Sequence, residues 1–220
     1  PKAQAEKVTV GSILGTDAFV LFKSRSFFIF FVSAILICIP LSFYYGFANP
    51  FLNEVGLENA ASKMTMGQMS EALFILAIPF MFNRVGVKNM LILGIGAWLL
   101  RYIFFAYGNM EQSWMLYAGI ILHGICYDFF FVTGYMYTEK KAGEKIKNAA
   151  QGLFTFATYG VGMFIGTNYS GYVANAYNQS TTVNGVTTQQ HIWETIWLYP
   201  ALIASVVLVL FILFFKEKSS

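Results

Sequence analysis

The sequence predicts an all-α membrane protein of six transmembrane helices, and three observations carry that expectation. Six long apolar stretches, 26–50, 64–82, 89–107, 113–138, 148–173 and 192–215, occupy most of the 220 residues. At about 1.5 Å of rise per residue, each is long enough to cross roughly 30 Å of hydrocarbon. Charged residues make up only 11% of the chain, whereas a soluble domain carries about a quarter, so six such helices would lack a polar surface to hide behind. Finally, Phe27 to Pro40 and Trp197 to Phe215 are nearly continuous apolar runs. Barrel strands instead need about ten residues of alternating polarity, and in lipid only helices or closed barrels satisfy every backbone group.

The chain divides into residues 1–25, a cytoplasmic linker and interfacial helix; 26–215, the transmembrane domain; and 216–220, a cytoplasmic tail. The first segment mixes Lys7 and Asp17 with Val8, Ile13, Phe19 and Phe22, too polar to span but suited to the membrane surface. Its Pro1-Lys2-Ala3-Gln4 start reads as a linker within a longer protein, and no small-residue cleavage site follows the first apolar run, which speaks against a signal peptide. Pro40 and Pro79 lie inside spans and are expected to kink them. Gly162 and Gly166 form a G-x-x-x-G face, and Gly94, Gly96, Gly119 and Gly124 offer further close helix contacts. The connection from Asn175 to His191, rich in Asn, Gln and Thr, reads as an exposed loop without strong secondary structure.

Charge placement sets the expected orientation. Lys2, Lys7, Lys23 and Arg25 precede the first span, Arg84 and Lys88 follow the second, Lys140, Lys141, Lys145 and Lys147 follow the fourth, and Lys216 and Lys218 follow the sixth. The opposite connections hold only Lys63. By the positive-inside rule both ends of the chain are cytoplasmic and the Asn175–His191 connection lies outside. The net charge of +3 is spread over short loops and makes no continuous footprint, so nucleic acid is not an expected partner.

Four ionisable side chains, Glu71, Arg101, His123 and Asp128, stand inside the spans rather than at their ends. A charge at mid-membrane costs roughly 2.5–3.5 kcal/mol on insertion scales, so these groups should face the bundle interior. Gln68 and Glu71 are three apart on one helix face, where an amide and a carboxylate can hold one polar solute; Glu71 pairing with Arg101 as a structural ion pair is the competing reading. His123 and Tyr127, four apart, can hydrogen-bond and stack on a planar solute, or serve only helix contact. Asp128 must be paired, hydrated or protonated, which makes a proton-linked role and a helix-anchoring role the two options.

The pattern excludes several chemistries. Gly94-Ile95-Gly96 lies inside a span and lacks the strand-turn-helix setting of a dinucleotide site. His123 and Asp128 are too few for a metal, and Cys38 and Cys126, both within spans, imply neither a disulfide framework nor a metal centre. No nucleophile-base arrangement supports an enzyme, and no cofactor is expected. Most of the 23 phenylalanines and four tryptophans are packing or lipid-facing residues.

Three blocks carry a family resemblance: Q-M-S-E-A-L-F-I-L-A-I-P-F at Gln68 to Phe80, F-N-R-V-G-V-K-N at Phe82 to Asn89, and W-L-L-R-Y-I-F-F-A-Y-G at Trp98 to Gly108. Together with H-G-I-C-Y-D-F-F-F at His123 to Phe131, they resemble the carboxy-terminal half of the nucleoside:proton symporters of the major facilitator superfamily. The resemblance implies a twelve-helix transporter of which this chain supplies helices seven to twelve, a nucleoside bound between two halves, and inner-membrane uptake by alternating access with the proton as coupling ion. It also implies substrate contacts at Gln68, Glu71, His123, Tyr127 and Asp128. Asp128 and Glu71 are the embedded carboxylates of this half available to carry the proton, the missing half being the other place for the carrier. This sequence departs from the family pattern at His123, often tyrosine there, and at Tyr127, often phenylalanine; the first span, Ile39-Pro40-Leu41-Ser42-Phe43-Tyr44-Tyr45-Gly46, lacks the family's polar contacts. A lone six-helix half has no facing wall around a central site. The chain is therefore expected to pair with an amino-terminal half, the other classes being a self-contained channel or carrier that dimerises and a membrane enzyme or assembly factor.

Overall fold

The computed structural model describes residues 16–183 and 186–217. Seven α-helices follow a short 3-10 helix, Thr16–Lys23: α1 (Arg25–Glu54), α2 (Ala60–Val85), α3 (Val87–Tyr107), α4 (Ser113–Tyr127), α5 (Thr133–Thr155), α6 (Met163–Ala176) and α7 (Trp193–Phe214). Asp128–Val132 and Phe156–Gly162 are π-helical turns that join α4 to α5 and α5 to α6. The continuous run is broken at Gly143, where φ is 64° and ψ 178°, a backbone state open to glycine and costly for other residues. α4 with the first part of α5 is thus the fourth span, and the rest of α5 with α6 the fifth, giving six crossings. The fourth and fifth spans run further than 113–138 and 148–173, because Lys140 to Lys147 lie on helix that extends to Gly143 from either side.

Aromatic packing fills the bundle. α3 lies against α4 and α7, α2 against α4, and α1 against α6 and α7. Trp98, Tyr102 and Trp197 stack in sequence, with centroids 5.8 and 5.7 Å apart. Tyr102 Oη donates to the Pro40 carbonyl at 2.5 Å, tying α3 to α1. The G-x-x-x-G face packs on α1: a Cβ on Gly162 would stand 2.7 Å from that of Cys38, and one on Gly166 would collide with Ser42 Oγ. Gly96, expected to make a similar contact, has nothing within 4 Å of its missing Cβ. Cys38 and Cys126 are buried free thiols.

Both described ends lie at one end of the bundle, where Ser26 Oγ donates to the Lys216 carbonyl at 2.5 Å. Thr16–Lys23 packs on the bundle through buried Ala18 and Leu21; residues 1–15 of the linker and residues 218–220 of the tail fall outside the described residues. At the opposite end the sequence expectation fails. The connection holds an antiparallel hairpin, β1 (Asn178–Val183) and β2 (Val186–His191), with Asn178 opposite His191 and Val183 opposite Val186. Its β-branched Thr181, Thr182, Val183, Val186, Thr187 and Thr188 suit strands, and Asn184-Gly185 in the sequence is the dipeptide that most favours a two-residue connection. Glu54 anchors the hairpin base: Oε1 accepts from His191 N at 2.8 Å and Oε2 from Trp193 Nε1 at 2.7 Å.

Candidate functional site

The site begins at the crossing of α2 and α4, where small residues bring two backbones together. A Cβ on Gly67 would stand 2.9 Å from the Ile120 carbonyl oxygen, and one on Gly124 only 2.5 Å from the Glu71 nitrogen. Ser70 Oγ lies 2.7 Å from the Ile121 carbonyl and accepts the Gly124 N–H at 3.0 Å, which satisfies polar groups across the contact. One residue to either side of that contact stand Glu71 and His123.

Glu71 Oε2 is 3.6 Å from His123 Nε2, and His123 Nδ1 is 2.9 Å from Arg101 Nη1. A guanidinium can only donate, so Nδ1 must offer its lone pair and the ring proton sits on Nε2, aimed at Glu71. Arg101 is fully buried, with its guanidinium carbon 3.4 Å from the centre of the Tyr44 ring and Cys126 Sγ 3.5 Å from Nη1. Its Nε and Nη2 have no hydrogen-bond partner among the described residues. The direct Glu71–Arg101 ion pair weighed from the sequence is not formed, because His123 lies between the two and Tyr44 holds the guanidinium by its face.

Aromatic rings line the same wall. Tyr44 stacks on His123 at 5.1 Å, and Tyr127 follows at 5.7 Å from the imidazole. Tyr127 Oη is hydrogen-bonded to Tyr159 Oη on the second π turn. Tyr45 is 52% exposed beside them and Gln68 is exposed, so the wall is open on one side. Asp128, the first residue of the first π turn, is 0% exposed, and neither carboxylate oxygen has a hydrogen-bond partner among the described residues. The structure therefore joins Glu71, His123 and Tyr127 in one wall with Arg101 behind it, leaves Gln68 at its open edge, and sets Asp128 in the interior next to Tyr127.

The arrangement presents a carboxylate, an imidazole N–H and phenol rings to a planar polar solute, with a carboxyl close by whose proton occupancy no ion pair locks. Among the described residues, no group of three or more His, Cys, Asp or Glu is placed to hold a metal. Sequence reasoning missed Tyr44, Tyr45 and Tyr159. Tyr44 and Tyr45 come from α1, where their signal was only a tyrosine pair in an apolar run.

A family model described as Nucleoside H+ symporter matches residues 1–220. The chain belongs to the nucleoside H+ symporter family. The chain is 39% identical over 226 residues to the protein named 'Putative nucleoside transporter YegT' of Escherichia coli (strain K12), covering 100% of this chain and 52% of that protein. Against the nucleoside permease NupG of the same strain it is 36% identical over 219 residues, with 94% and 50% covered; against the xanthosine permease it is 34% identical over 229 residues, with 98% and 53% covered. A crystal structure of the nucleoside transporter NupG superimposes with a TM-score of 0.78 at 35% identity, covering 98% of this chain and 54% of that one. A mutant form of NupG gives 0.84 at 34% identity, with 97% and 54% covered. The chain spans about half the length of the curated relatives it matches, and its six crossings form one half of a major-facilitator fold. These relatives are transporters rather than enzymes, which agrees with the absence of any nucleophile-base arrangement in the sequence pattern.

Proposed function

We propose that this chain forms one half of a proton-coupled nucleoside transporter of the inner membrane, working by alternating access with an amino-terminal six-helix half that supplies the facing wall. The observation that carries the reading is the open wall of Glu71, His123, Tyr44 and Tyr127 beside the unpaired, buried Asp128. In it, Glu71 and Gln68 hydrogen-bond the sugar hydroxyls or the base edge, His123 adds a polar contact through Nε2, and Tyr127 packs on the base. The names of the permeases that the chain matches support nucleosides as the substrate class. Asp128 is the first choice for proton carrier because it is fully buried while Glu71 is about one-third exposed, and because the neighbouring Tyr127 links its position to the solute. The π turn on which Asp128 stands, and the one holding Tyr159, interrupt the helices where a small change of backbone register can move the Tyr127–Tyr159 contact.

The test uses the full-length protein in proteoliposomes. With an inward proton gradient the wild type accumulates labelled nucleoside, and a wild type that neither accumulates nor exchanges nucleosides refutes the assignment. Asp128→Asn retains nucleoside exchange and loses most proton-driven accumulation. Undiminished accumulation in a correctly inserted Asp128→Asn protein removes Asp128 from the proton path and leaves Glu71 or the facing half.

A further inference from the structure

A cleft of about 920 Å³ opens at the end of the bundle that carries the basic connections, walled by the α2–α3 turn, the α5 residues around Tyr137 and the end of α7. Arg84, Lys88, Lys140, Lys141 and Lys216 line it, against a single carboxylate, Glu217. That carboxylate is already committed: Lys141 Nζ is 2.7 Å from Oε1, and Tyr137 Oη donates to Oε2 at 2.9 Å. Arg84, Lys88, Lys140 and Lys216 have no carboxylate partner among the described residues, although Arg84 lies over the Phe80 ring at 4.4 Å. The positive-inside rule explains cations along this face. It does not require four cations without a carboxylate partner to line one cavity, where a bound anion would relieve their mutual repulsion.

The backbone adds to the same charge. Gly86, with φ 79° and ψ 156°, turns the chain from α2 into α3 in one residue and offers no side chain to cap the helix that starts at Val87. The first-turn residues Val87, Lys88 and Asn89 line the cleft, and the positive end of the α3 dipole lies there with them.

We propose that this cleft binds a phosphate-bearing anion, either the headgroup of an anionic phospholipid or free phosphate, at a site separate from the nucleoside wall. Guanidinium and ammonium groups on three helix ends surround the phosphoryl oxygens, and the α3 N–H groups complete the site as they do for anions at other helix N-termini.

The experiment compares phosphatidylglycerol, phosphatidylcholine and inorganic phosphate on detergent-purified full-length protein, read by native mass spectrometry and thermal unfolding. A cleft variant, Arg84→Gln with Lys88→Gln and Lys140→Gln, is set against a control of equal charge change on exposed residues outside the cleft, Lys23→Gln with Arg25→Gln and Lys145→Gln. Phosphatidylglycerol should be retained in preference to phosphatidylcholine, and the cleft variant should bind it roughly a hundredfold more weakly, about fivefold for each cation removed, while the control stays near wild type. Retained phosphatidylglycerol with no response to phosphate assigns the lipid headgroup; a rise in Tm with phosphate alone, lost in the cleft variant, assigns the soluble anion. If the triple variant does not fold, Lys88→Gln and Lys140→Gln taken singly should each show the fivefold loss. Equal binding of both lipids with no phosphate response overturns the proposal. So does a control that loses as much affinity as the cleft variant, since that outcome assigns the effect to general surface charge.

Discussion

Glu71→Gln keeps the shape of the side chain and removes an anionic acceptor, so it separates charge from packing at the centre of the wall. The carboxylate is about one-third exposed and lies 3.6 Å from a ring nitrogen that carries its proton on that side, so it remains free to accept a hydrogen bond from a solute. If it holds the nucleoside, isothermal titration of the full transporter should show a loss of about 1.5–3 kcal/mol, the range for a hydrogen bond to a charged group. Unchanged affinity assigns Glu71 to the His123–Arg101 relay alone. Arg101 reaches the wall through the imidazole of His123. Its hydrogen bond to Nδ1 fixes the tautomer, and its burial against Tyr44 holds it behind the imidazole.

At the scale of helices, the contact between α2 and α4 decides whether Glu71 and His123 meet. Gly124 allows the approach because a Cβ there would press on the Ser70 and Glu71 backbone, which cannot move aside as a flexible side chain would. Gly124→Ala should therefore cost about 1–3 kcal/mol in stability, as overpacking does, and weaken nucleoside affinity by spreading the helices. Gly96→Ala, with open space around the new methyl group, should leave both nearly unchanged. Thermal unfolding of the two variants side by side gives the comparison. Equal melting temperatures would show that the crossing tolerates a methyl group and that the contact is looser than the distances imply.

For the whole molecule, orientation and completeness are linked. Ser26 and Lys216 meet at one end and the hairpin lies at the other, so a single accessibility measurement orients every span. A cysteine introduced at exposed Gln179 should react with a membrane-impermeant thiol reagent from outside intact cells, and one at exposed Lys145 only after permeabilisation. The native Cys38 and Cys126 are buried and should contribute little background. Labelling at Gln179 only after permeabilisation would invert the topology. Much of α2 faces outward, with Met69, Leu73, Leu76 and Phe80 exposed along the helix that also carries Gln68 and Glu71.

The six crossings and the intramembrane ionisable residues were legible in the sequence, because a bilayer imposes length and apolarity on each span and makes every embedded charge conspicuous. Glu71, His123 and Asp128 could be named for that reason. Their partners could not. Tyr44 and Tyr159 are two among 13 tyrosines, and an aromatic ring in an apolar run looks the same whether it packs, faces lipid or lines a site. The Arg101–His123 contact joins residues 22 apart through a rotamer choice that helical periodicity does not specify, so the sequence offered Glu71 as the nearer partner by charge. The hairpin was within reach of its two β-branched runs and the Asn184-Gly185 between them but was outweighed by the polarity of the segment. The two π turns left no such trace, because one extra residue per turn is set by how the neighbouring helices pack. Tertiary packing alone placed a buried, unpaired Asp128 beside an open aromatic wall, since burial and hydrogen-bond partners depend on which helices surround a residue.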